Sequence, residues 1–215
     1  MQYPALRQLT RRGTLAGTIA TPFLTSRLAN AVEPAGMVEG LRGEATAKSG
    51  SNIRPLARDA SLFVGELVAT GMQSAIAMRL GAATEVRLGP EARLRIDRFV
   101  IKVGGVLELA KGAMLFDHDP ASGQTEMALR SPFGLIAVRG TRFFAGPSNN
   151  VFGIFLYSGE LLAVGRNTAV QLQPAFGTDI AAPGEEPTPP HRWAEARIRA
   201  AEASVMELSR QAPPG

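Results

Sequence analysis

From about Val38 onward, apolar positions recur with a period of two. Ile76, Met78 and Leu80 alternate with Ala75, Ala77 and Arg79, Val86 and Leu88 bracket Arg87, and Leu94 and Ile96 bracket Arg95. Such alternation is what a strand with one buried face requires. Turn formers break the series at short intervals: Gly81-Ala82-Ala83, Gly89-Pro90, Gly104-Gly105, Lys111-Gly112, Asp119-Pro120 and Ser158-Gly159. The pattern predicts strands near 37–48, 62–70, 74–80, 84–89, 93–101, 106–110, 113–117, 126–131, 134–145, 151–157, 160–166 and 168–174. The expected fold is all-β, with short antiparallel or coiled strands forming a sandwich or a short solenoid. The intervals are too irregular for a long β-helix.

At Pro183 the pattern changes. The stretch PGEEPTPP over 183–190 carries four prolines, which favour extended, solvated backbone and predict a linker. A helix is then expected over 191–210, because Ala194, Ile198, Ala201, Val205 and Leu208 fall on one stripe and Glu195 and Arg199 are spaced as an i,i+4 pair. The helix is expected to dock on its own sheet, with a partner's surface as the alternative, and the β core to be complete by about residue 175.

The amino terminus reads as an export signal over 1–31. Arg11-Arg12 in TRRGTL precede a mild apolar stretch from Leu15 to Leu24, and Ala29 and Ala31 match an A-x-A cleavage site. A mature chain starting near Val32 and a periplasmic location are the expectation. No apolar run approaches the ~20 residues that span a bilayer, so no mature transmembrane helix is expected.

Charge and chemistry narrow the function classes. The net charge of +4 comes from Arg7, Arg11, Arg12 and Arg27, since without the first 31 positions 19 basic and 19 acidic side chains remain. A balanced mature chain has no field to steer a polyanion, and nucleic acid is not an expected partner. There is no cysteine and there are only two histidines, His118 and His191, so a Ser-His-Asp triad or a multi-histidine metal centre is hard to assemble. Asp117-His118-Asp119 before Pro120 reads as an exposed hairpin tip. Glu108, Asp117, Glu126 and Glu160 are carboxylates that could meet in space, but no phosphate loop or nucleophile elbow accompanies them. The expectation is a non-enzymatic protein without cofactor or metal.

Ser131 to Phe144 reads SPFGLIAVRGTRFF and resembles the hallmark of the FecR domain, T-P-x-G followed by an apolar run ending in V-R-G-T-x-F. The matching positions are Pro132, Gly134, Val138, Arg139, Gly140, Thr141 and Phe143. Similar motifs lie in the family's order at 53–71, 74–89, 106–111 and 151–164, so the resemblance covers about 36–175. Gly81-Ala82-Ala83-Thr84 stands where the family has D-G-S, and Ser131 where it has threonine. The resemblance implies a periplasmic recognition or signal-relay module whose partner is an envelope protein or polymer; a purely structural envelope protein is the alternative. The anti-sigma domain, membrane helix and receptor-contacting region that usually accompany the domain in its regulators have no counterpart motif in the sequence. In the hallmark itself, Gly140 marks a point where the strand must bend, bulge or admit another backbone. Simple alternation puts Arg139 on one face with Leu135, Ala137 and Phe143. That predicts a buried or half-buried arginine, structural in role and satisfied by Glu108 or Glu160.

Overall fold

The computed structural model describes residues 34–100, 104–122 and 126–206. Its centre is a hairpin of two long strands, β12 (Gly134–Ser148) and β13 (Val151–Val164). Asn149 and Asn150 close it with φ of 53° and 62°, the left-handed pair that a two-residue hairpin loop needs. The other strands are β1 (Pro34–Arg42), β2 (Ala45–Ser49), β3 (Asn52–Pro55), β4 (Ser61–Phe63), β5 (Leu67–Thr70), β6 (Ala75–Leu80), β7 (Thr84–Leu88), β8 (Arg93–Val100), β9 (Gly104–Lys111), β10 (Met114–His118), β11 (Glu126–Ser131), β14 (Ala169–Leu172), β15 (Phe176–Ile180) and β16 (His191–Arg192). One helix, α1 (Glu195–Met206), follows them.

All these strands belong to one curled sheet in the order β3-β2-β5-β8-β9-β11-β12-β10-β7-β6-β1-β4, with β13 joining β12 to β14 and β15. Both long strands change neighbours midway. The first half of β12 pairs with β11 and its second half with β10, while β13 pairs first with β15 and then with β14. The sheet therefore folds over along the hairpin into two layers. Layer I holds β3-β2-β5-β8-β9-β11, the first half of β12, the second half of β13, and β14. Layer II holds β4-β1-β6-β7-β10, the remaining halves, β15 and β16. Between them Leu94, Ile96, Leu107 and Leu109 of layer I meet Ile76, Met78, Val86, Phe116 and Phe143 of layer II in one buried cluster. The fold is thus all-β with a sandwich core, and β9 and β11 are its parallel neighbours.

Several boundaries differ from the sequence reading. The stretch 37–48 is two strands, because at Gly43-Glu44 the Glu44 N–H leaves the ladder and donates to Ser74 Oγ at 2.8 Å. The stretch 62–70 is also two, divided where the buried Glu66 carboxylate accepts from the Phe63 N–H and from the Arg54 guanidinium. Ser158-Gly159 is not a turn between two strands but a bend within β13. The β structure also continues past 175 into β15 and β16.

The 183–190 stretch is extended but not a free linker. The Thr188 N–H donates to the Asp179 carbonyl (2.9 Å), Thr178 Oγ1 donates to the Thr188 carbonyl (2.6 Å), and Pro187 is buried. The Glu186 carboxylate accepts from the backbone N–H groups of Asn167 and Thr168. The segment straps the chain along the sheet and delivers α1 to the outer side of layer II. There Trp193, Ala201 and Val205 close a second buried cluster with Ala113, Leu115, Phe144 and Phe155, with Ile198 at its margin. Ala194 is exposed, contrary to the predicted stripe: it precedes the helix and offers its carbonyl to the N–H groups of Arg197 and Ile198. Leu208 lies outside the described residues. The side chains that fix the helix are Trp193 and Arg197. The Arg197 guanidinium lies 3.6 Å from the Trp193 ring centroid and grips Asp179 at 2.6 and 3.0 Å.

Candidate functional site: the open face of layer I

Two faces of the sandwich are in contrasting states: α1 covers the outer side of layer II, whereas no described element covers the outer side of layer I. The hallmark segment forms the corner between them. At Gly140 the backbone takes φ of +56° and the register of β12 on β13 shifts between Arg139 and Arg142. The opposite strand bends in step at Gly159, φ +90°, where a Cβ would stand 2.3 Å from the Gly140 oxygen. Thr141, fully buried, stitches the bend: its Oγ1 accepts from the Arg139 N–H at 3.0 Å and donates to the Glu160 carbonyl at 2.8 Å.

The bulge inserts one residue into the alternation, so inward positions are even before it and odd after it. Ile136 and Val138 are buried on one side of the bend, Thr141, Phe143 and Ala145 on the other. Phe143 packs on Phe116 with ring centroids 5.3 Å apart. Pro132 is exposed in the β11–β12 turn, and the Gly134 backbone lies against the Val164 carbonyl too closely for a side chain.

Arg139 is the exception within the hallmark. It is exposed, on the face opposite Phe143, and the expected buried network is absent. Simple alternation fails here because a bulge lies between Arg139 and Phe143 and reverses the parity of the strand. Glu160 does stand directly opposite it, on β13, and Glu126 stands opposite on β11. Neither makes an ion pair with it, and Glu108 instead lies 3.6 Å from Arg95. The signal residues Arg11, Arg12, Ala29 and Ala31 lie outside the described residues.

The registers of β9, β11, β12, β13 and β14 arrange the open face in cross-strand rows. One row runs Glu126–Arg139–Glu160, alternating in charge over three neighbouring strands. The next runs Val106–Ala128–Ala137–Leu162–Gln171 and is apolar until its last member. Beyond it lie Glu108 and Arg130, then Leu135 and Val164; here Arg95 approaches Glu108 and Arg130 approaches Asp97, each at 3.6 Å. Because Ala128 and Ala137 are short while Arg139, Glu160, Leu162 and Gln171 stand around them, these two alanines are the floor of a shallow groove of about 580 Å³. Leu162 is 38% exposed there.

A floor of methyl groups offers contact area without a nucleophile, and the charged rim offers directional selection. The Asp117-His118-Asp119 cluster is not an exposed tip. His118 is buried in β10 and hydrogen-bonded through Nδ1 to Thr84 Oγ1 at 2.9 Å, while Asp119 accepts from the Ala121 N–H in the following turn. His191 reaches Asp179 beside the helix anchor. Among the described residues no group of His, Asp or Glu is placed to hold a metal ion, and no helix is long and apolar enough to cross a membrane. Behind the corner, Tyr157 is held far above the ordinary tyrosine range, mainly by burial and then by the Glu202 carboxylate, which the nearby Arg142 guanidinium partly offsets.

Comparison with known proteins bears on the same region. Residues 66–162 match the family model described as FecR protein, a span that contains the corner and the groove's lining from Gly105 to Leu162. Two crystal structures of a protein given as an anti-sigma factor from Parabacteroides distasonis ATCC 8503, at 1.65 Å and 2.50 Å resolution, share the fold with TM-scores of 0.52 at 12% identity. The likeness covers 62% of this chain and 63% and 62% of theirs, so the chain spans about three-fifths of the length of the structures it matches. No curated protein matches.

Proposed function

We propose that this chain, which carries a domain of the FecR family over residues 66–162, is an exported, non-enzymatic recognition and signal-relay module of the cell envelope. The observation that carries the reading is the placement of Arg139. Every other residue of the hallmark builds the core, the bend or a turn, whereas Arg139 is turned outward on the uncovered face, between two carboxylates and beside an apolar groove. An exposed charged side chain without an ion pair, held on a strand next to a hollow, suits a binding surface. The anti-sigma description of the proteins that share the fold supports a regulatory role, in which a partner protein meets this face in the periplasm. The twin arginines at 11–12 and the alanines at 29 and 31 support export by the Tat route, with residues from about Val32 forming the mature protein. No cofactor enters this account.

Affinity capture from native envelope extract tests it. The mature chain should retain a discrete partner that Arg139→Glu does not retain at equal folded concentration. An inert structural element would retain none, or the same set with both proteins. Export is tested separately by amino-terminal sequencing of envelope-derived protein. A start near Val32 is expected, and an intact Met1 would overturn it. Changing Arg11 and Arg12 to Lys should leave precursor in the cytoplasm.

A further inference from the structure

The groove has a shape, a length and a charge order, and together these select a class of occupant. We infer that it receives an amphipathic helix of a partner protein, lying across strands β11, β12 and β13, with small apolar residues on the floor and a basic–acidic–basic series along one flank. The inference rests on the open face being a recognition surface, and specifies what it recognises.

Three observations lead there. First, the floor at Ala128 and Ala137 is hollow between taller neighbours, so it accepts a ridge; two copies of this face would set hollow against hollow. Second, Glu126, Arg139 and Glu160 step across adjacent strands at about 4.8 Å each. One flank of a helix offers a side chain every ~5.4 Å, whereas an extended segment offers one on the same side every ~6.8 Å. Over two steps the helix drifts from the ladder by about 1 Å and the extended segment by about 4 Å. Third, the charges of this row form no ion pairs among the described residues, unlike Arg95, Glu108, Arg130 and Asp97 on the opposite margin. They are available to Lys or Arg beside Glu126 and Glu160 and to Asp or Glu beside Arg139. The chain already uses this mode of packing on layer II, where Ala201 and Val205 of α1 lie over Leu115 and Phe144.

The test uses the full mature chain and two lactam-bridged helical peptides of about 15 residues, a length that needs the bridge to stay helical. Both carry the same Ala/Leu stripe. One bears Arg–Glu–Arg at i, i+4 and i+7 on its flank, the other Glu–Arg–Glu. The first should bind at least about tenfold more tightly at low ionic strength. The triple reversal Glu126→Arg, Arg139→Glu, Glu160→Arg should invert the preference, and Ala137→Phe, which fills the floor, should abolish binding of both while the melting temperature stays unchanged. Equal binding of the two peptides, or binding indifferent to Ala137→Phe, would overturn the inference. So would failure of both peptides while the native envelope partner is still captured by the wild type and lost by Arg139→Glu; in that case the face remains a recognition surface and the helical occupant is wrong. Concentration-dependent dimerisation abolished by the triple reversal would also overturn it, in favour of a second copy.

Discussion

The Thr141 hydroxyl donates to the Glu160 carbonyl at 2.8 Å, and through this bond the two layers of the sandwich are held at their shared bend. Thr141 also accepts the Arg139 N–H, so one buried side chain satisfies two backbone groups that the bulge removes from regular pairing. Thr141→Val should cost about 1–3 kcal/mol, the range for leaving buried polar groups unpaired, while Thr141→Ser should retain most of the stability. Equilibrium urea unfolding checks this, and a valine variant as stable as the wild type would remove the stitch from the account.

Arg139 sits two residues away and should behave in the opposite manner. Its side chain is exposed and unpaired, so Arg139→Ala should change stability by less than about 0.5 kcal/mol. A large drop in melting temperature would restore the buried, structural arginine that simple alternation predicts.

That contrast shows what the sequence could and could not convey. Alternation in Ile76–Leu80 and Val86–Leu88 identifies strands, and the Gly140 kink was legible from a glycine between Arg139 and Thr141 inside a strand-like run. Parity across the kink was not, because a bulge moves every later residue to the other face and its exact position depends on the opposite strand's bend at Gly159. The groove was illegible for another reason. Ala128, Ala137 and Leu162 are each apolar within apolar runs, and only the pairing of β11, β12 and β13 brings them into one row. Likewise a proline-rich stretch reads as solvated until Thr178 and Thr188 are seen to bond. Trp193 carried a signal of its own: a lone tryptophan at the start of the stretch expected to be helical is a natural anchor, and it lies just before the helix that forms.

Trp193 is the only tryptophan in the chain, so its emission reports helix docking directly. Its ring fills space that a side chain at Gly153 or Gly177 would occupy, and it contacts Phe144 and Phe155. Trp193→Ala should destabilise by about 3–5 kcal/mol, and truncation after Ala182 should yield an aggregation-prone domain, since Leu115, Phe144 and Phe155 lose their cover. A truncated chain that remains monomeric with an unchanged unfolding midpoint would show that the helix is dispensable.

Tyr157 supplies a pH dependence. Its phenol is held above the ordinary value of 10.0 chiefly by burial, so the unfolded chain releases this proton first. The corresponding stability is fully present below about pH 10 and is lost as pH rises beyond it. Ultraviolet titration of the mature chain, in which Tyr157 is the one tyrosine, should show its phenol ionising only on unfolding, and Tyr157→Phe should flatten the alkaline limb of the stability curve. A phenol ionising near pH 10 in the folded mature protein would contradict this.

The central claim is that the open face of layer I is where this protein meets its partner. A photo-crosslinking amino acid at Leu162, in the groove, compared with one at Met72, which is 79% exposed in the turn between β5 and β6 and does not line the groove, tests it in the native envelope. The account predicts a discrete crosslinked species from position 162 that is absent from position 72 and is lost when Arg139→Glu is added. Crosslinking of the same species from both positions, or from position 72 alone, would contradict it.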